Sequence, residues 1–173
     1  MNLPLTIMTA TAAIGAVDVL YFHLYRFRLF AQPGSVAEEI THLFRHALFL
    51  TLLLVLSTDG RSPERDALVF VLIGLDLLNG AVDVLIERGS RAPFGGLPPL
   101  ESLVHFLSSF GMGLAVAAYV LAPTLPPPAG VLAWQVWGTF ASGVVVFALE
   151  GCLFARALRA RSPGIALASA TQS

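Results

Sequence analysis

Apolar residues fill five long segments of the chain, at about 3–25, 37–57, 66–87, 100–122 and 131–156, and polar residues collect between them. Each segment reaches the roughly 20 residues that a helix needs to cross a bilayer. The breaks read "AQPGS", "STDGRSPERD", "GSRAPFGGLPP" and "APTLPPPAG", and clusters of Gly, Pro and Ser of this kind punctuate helices. Ser35 is placed to cap the second helix and Pro63 to begin the third. The pattern predicts an all-α, polytopic integral membrane bundle of five transmembrane helices, the first four enclosing a polar site. One domain is expected over 1–161, followed by a short disordered cytoplasmic tail over 162–173.

Composition narrows the function classes. Of the 173 residues 56% are hydrophobic and 12% charged, against roughly 25% charged in a soluble domain. All ten basic residues are Arg and the net charge is -1, so the basic field that nucleic acid requires is absent. The lone cysteine, Cys152, excludes an internal disulfide and a multi-cysteine metal site. The first twenty residues lack a basic n-region, and Asp18 interrupts their apolar run. A retained helix is therefore expected rather than a cleaved signal peptide.

The connections sort onto two sides. One side carries Arg26, Arg28, Arg88, Arg91, Arg156, Arg159 and Arg161, and the other only Arg61 and Arg65. Basic residues in short loops favour the cytoplasm. The N-terminus is accordingly expected outside and the C-terminus inside a plasma membrane of the bacterial inner-membrane type. Trp134 and Trp137 then fall at the outer interface, where an aromatic belt belongs.

The polar positions within the spans share one depth. Asp18 and His23 lie near the inner end of helix 1, and Glu38, Glu39, His42, Arg45 and His46 open helix 2 from that side. Asp83 and Glu87 close helix 3, Glu101 and His105 open helix 4, and Glu150 falls near the inner end of helix 5. Faces agree as well as depths. Glu39, His42 and His46 are spaced i, i+3, i+7, and Asp76, Asp83 and Glu87 align within about 20° at 100° per residue. Glu101, His105, Ser108 and Met112 form a third stripe. Asp18 and His23 stand about 140° apart in a regular α-helix, so at most one of them points straight inward unless the helix unwinds there.

An ionisable group at bilayer depth is costly unless it is paired, and such residues usually face the bundle interior and mark a function. Asp76, in the middle of helix 3, is the most expensive and is either protonated, paired or beside water, with Asn79 one turn on as a candidate partner. Neutral imidazole with carboxylate is a ligand set for iron, manganese or zinc. The Glu39-x-x-His42 pair, with Glu101-x-x-x-His105 and the Asp83/Glu87 helix, resembles the plan of the di-iron carboxylate bundles. That plan implies a carboxylate from each of two helices and Glu-x-x-His from each of the other two; the second pair here is one residue longer. The eight-histidine pattern of membrane desaturases is absent, because the chain has four histidines.

The expected metal ligands are Glu39, His42, Asp83, Glu87, Glu101 and His105, then His46 and His23. Asp18, Asp76, Asn79, Arg45 and Glu150 are expected to support or relay. A di-metal, di-iron-like centre is expected, with iron leading, zinc and manganese following, and a b-type haem held by two histidines behind them. With iron, the expected work is oxygen-dependent oxidation of a lipid, quinone or terpenoid reached from the bilayer; with zinc, hydrolysis by metal-activated water.

Blander readings stand beside this one. The cluster suits an inner-leaflet salt-bridge network, with Glu38 and Glu39 favoured by the helix N-terminus and Glu87 facing Arg88 or Arg91. That network fits an accessory subunit of a larger membrane complex, or, as a relay, a small transporter. His23 suits the headgroup level beside Tyr21 and Tyr25, and Cys152 suits a buried small residue. Partners are expected among membrane lipids, a hydrophobic small molecule, and another copy or a membrane-complex subunit.

Overall fold

The computed structural model describes residues 2–58 and 60–161; the tail expected over 162–173 lies outside them. Helix α1, Leu3–Val17, continues directly as a π-helix over Asp18–Arg26. Short 3-10 turns at Leu29–Ala31 and Pro33–Ser35 lead into α2, Val36–Ser57. Then come α3 (Pro63–Arg91), a turn at Ala92–Phe94, α4 (Pro99–Leu121) and α5 (Val131–Arg161). Among the described residues there is no strand, and five helices are long and apolar enough to cross a membrane. The described structure is all-helical, as the apolar periodicity predicts.

Local chemistry sets the helix ends. The Asn2 side chain accepts from the Leu5 amide at the start of α1, and Ser62 accepts from the Arg65 amide before Pro63 at the start of α3, each satisfying an orphan donor. Ser35 occupies the cap position of α2 but makes no side-chain cap bond. At the far ends of α2 and α4, arginines take over. Arg65 Nη2 donates to the carbonyls of Val55 (2.6 Å) and Thr58 (2.8 Å), and Arg61 Nη1 to those of Tyr119 (3.2 Å) and Ala122 (2.6 Å). Cations there satisfy the last carbonyls and complement the helix dipole. The two arginines expected on the outer side are thus helix caps.

The helices pack as two pairs around shared neighbours. α4 lies on α1, α3 lies on α2, and α5 packs against α2 and, less extensively, α1. The links between α3 and α4 lie toward their ends: Asp66 and Phe70 meet Tyr119 at one, and Glu87 and Arg91 meet His105 and Glu101 at the other. Along the bundle axis the interior is layered. Leu5, Met8, Leu52, Leu53, Leu56, Val69 and Tyr119 build an apolar core in one half. The buried ionisable residues occupy the other half, closed below by Phe22, Phe27 and Leu29.

Close approach of α1 and α4 depends on one glycine. A Cβ at Gly111 would strike the Thr11 side chain, whose hydroxyl donates to the Ile7 carbonyl. Small residues of this kind are what let helix backbones approach in a membrane. Gly111→Ala should lower stability by about 1–3 kcal/mol, the range for overpacking, and Thr11→Ala in the same chain should restore most of it. An unchanged thermal midpoint of Gly111→Ala in detergent would count against this contact.

Candidate metal centre

The π-helix settles the geometry of helix 1. Its i→i+5 hydrogen bonding places residues five apart over one another, where an α-helix would separate them by about 140°. Asp18 and His23 therefore both turn inward, with His23 Nε2 3.8 Å from Asp18 Oδ1. His23, suited by its neighbours to the headgroup level, is fully buried at the centre of the cluster. Its ring lies 4.1 Å from that of His42 and 6.5 Å from that of His105, centroid to centroid.

Around it the expected residues converge from every helix. His105 Nε2 is 3.0 Å from Asp18 Oδ2 and its Nδ1 3.2 Å from Glu87 Oε1, so it joins helices 1, 3 and 4. His42 Nε2 faces Asp83 Oδ2 at 3.4 Å, and the Thr41 hydroxyl donates to Asp83 Oδ1 at 2.6 Å. His46 Nδ1 lies 3.0 Å from Glu150 Oε2, so α5, outside the four helices expected to enclose the site, contributes a fully buried carboxylate. Arg45 lies 3.4 Å from Asp76 and 3.8 Å from Asp83. Asn79 does not partner Asp76; its amide donates to the Thr41 carbonyl at 2.9 Å, because the next turn of α3 turns it toward the backbone of α2. Arg45 instead reaches Asp76 across the face left open by Gly80, where a Cβ would meet the guanidinium.

Two residues escape the sequence reading. Arg91, assigned there to the inner interface, is 0% exposed. Its Nη2 contacts Glu101, lies 2.9 Å from Glu38 Oε1 and 3.3 Å from His23 Nε2, while the guanidinium sits 5.3 Å from the Phe27 ring centre. The reason is length: α3 runs one turn beyond the expected end at 87, carrying Arg91 back into the bundle on the stripe of Asp83 and Glu87. Glu38 is buried with it and also accepts from Ser90. Glu38 therefore pairs with Arg91. The available signal was the i, i+4, i+8 spacing of Asp83, Glu87 and Arg91.

The charge balance of this layer is uneven. Eight carboxylates, Asp18, Glu38, Glu39, Asp76, Asp83, Glu87, Glu101 and Glu150, share it with the guanidiniums of Arg45 and Arg91 and four imidazoles. Both oxygens of Glu39 lack a hydrogen-bond partner among the described residues, although the side chain is 0% exposed. Three groups could hold a metal ion: Asp18, His23, Glu101 and His105; His23, Glu38 and His42; and His23, Glu39 and Glu150, with donor atoms within 4.8 Å of one another in each. Imidazole and carboxylate donors of this kind suit divalent iron, manganese or zinc.

Removing one partner of a buried ion pair strands a charge, at a cost of about 3–5 kcal/mol. Glu38→Gln combined with Glu101→Gln should therefore destabilise the protein by about that amount. Adding Arg91→Met should recover part of the loss. Equal detergent-denaturation midpoints for the double variant and the parent would remove Arg91 from the list of structural anchors.

No family model matches the chain, and no curated protein or solved structure is significantly similar to it.

Proposed function

We propose that the chain is an integral membrane metalloprotein whose buried carboxylate–imidazole layer holds iron, and that it oxidises a hydrophobic substrate reached from the bilayer, with dioxygen as the electron acceptor. The carrying observation is the charge imbalance. Even with every imidazole protonated, two guanidiniums and four imidazoles do not match eight carboxylates. Uncompensated charge at this depth is expensive, and a divalent ion would offset it with the donor set that is present. Access from the lipid side is supported by the packing, since α3 and α4 lie on different partners and are linked toward their ends. The His105 side chain between them is 22% exposed.

A second reading rests on Arg91. A guanidinium buried between Glu38 and Glu101 is what a purely structural network would contain, in an accessory subunit of a membrane complex. Metal analysis and an optical spectrum of the detergent-purified protein separate the two. The metalloprotein reading expects stoichiometric iron, or manganese or zinc in its place, without the Soret band of a haem. Protein free of metal from metal-replete cells would leave the structural network, with the carboxylates carrying protons.

A further inference from the structure

Resting on that metalloprotein reading, we infer that Arg91 fills one of two cation positions in the layer, so that the centre takes a single divalent ion, held by His23, Glu39 and Glu150. The three candidate groups all include His23, but they differ in what their acids already face. Glu101 of the first and Glu38 of the second are both on Arg91 Nη2. That guanidinium lies between carboxylates of α2 and α4 and beside His23 Nε2 at 3.3 Å, so an acid of each of these two groups already faces a cation. A fixed cation there repels a second one in low dielectric.

The third group has no such occupant. Glu39 Oε1 and Oε2, Glu150 Oε1 and His23 Nδ1 are all buried without a hydrogen-bond partner among the described residues, the three side chains are fully buried, and His23 presents Nδ1 to an ion with its ring proton on Nε2, 3.7 Å from Glu101 Oε1. They come from three elements, the π-helix, α2 and α5, so the site exists only in the assembled bundle. His46, 3.0 Å from the other oxygen of Glu150, orients that carboxylate as partners beyond a metal's own ligands commonly do. One imidazole and two carboxylates suit divalent iron, manganese or zinc and leave coordination positions open.

The test uses the full chain in detergent, stripped with a chelator and loaded with Mn(II) alone under nitrogen. The parent should bind about one equivalent with the paramagnetic resonance of an isolated ion, and Glu39→Gln and Glu150→Gln should each weaken binding at least about tenfold. Arg91→Gln should take up about two equivalents with the spectrum of a coupled pair, while Arg91→Lys, which keeps a cation in place, should stay at about one. Two equivalents in the parent, or one in Arg91→Gln that elutes as a folded helical species, would overturn the role of Arg91 and leave the metal reading intact. Full binding by both glutamine variants would move the ion elsewhere in the layer. A parent that binds neither Mn(II), Fe(II) nor Zn(II) would overturn the metalloprotein reading itself.

Discussion

Charge buried at one depth of an apolar bundle is the constraint on which the rest of this structure depends. The guanidinium of Arg91 has no exposure and draws Glu38 of α2 and Glu101 of α4 onto α3, with His23 of the π-helix against it. In the proposed membrane setting, no water competes for those groups, and the protein itself must supply their partners. Four chain segments are therefore fixed relative to one another by ionic contacts rather than by the shape of apolar side chains. The connecting turns follow from this, since Phe27 closes over Arg91 and Arg161 reaches back to the Phe30 carbonyl at 3.3 Å.

The opposite half of the bundle is held differently. Lipid tails are as apolar as leucine, so helix association there relies on close packing: Gly111 receives Thr11, and Gly143 lies against Leu50. Arg61 and Arg65 add order by capping α4 and α2, and Arg61 is anchored by Asp66, which also accepts from Tyr119. One half is thus knit by packing and caps, the other by charge. α3 and α4, which lie on different partners, bridge the two halves mainly through polar contacts near their ends. Between those end contacts α3 and α4 pack on different helices rather than on each other, which is the physical basis for the proposed route from the bilayer.

Most of the architecture was legible because apolar runs and Gly/Pro breaks are local signals. The five spans, the shared depth of the polar residues and the stripes on helices 2, 3 and 4 all follow from periodicity. Three features did not, each for a physical reason. The π-helix over Asp18–Arg26 follows from no apolar spacing, so an α-helical wheel separated Asp18 from His23. Hydropathy falls at "IERGSR", which ended the expected third helix before Arg91, yet the backbone continues because Arg91 has carboxylates to reach. Sequence distance pairs Asn79 with Asp76, whereas its partner is a carbonyl on another helix, a contact that depends on how α2 and α3 are rotated.

The π-helix and Arg91 are connected by the same energetics. An extra residue in a helical turn weakens its hydrogen bonding, and such turns are found mostly where a site gains from them. Here the gain is two inward-facing groups, Asp18 and His23, from one turn. Asp18 adds negative charge to a layer already rich in carboxylates, which an unpartnered bundle would resist. A permanent internal cation resolves this, because Arg91 keeps its charge at any accessible pH and lets Glu38 and Glu101 remain together whether or not an ion is bound. In the proposed centre, Arg91 thus makes the fold independent of the metal, while Glu39 and Glu150, which it does not contact, are left to be satisfied by one.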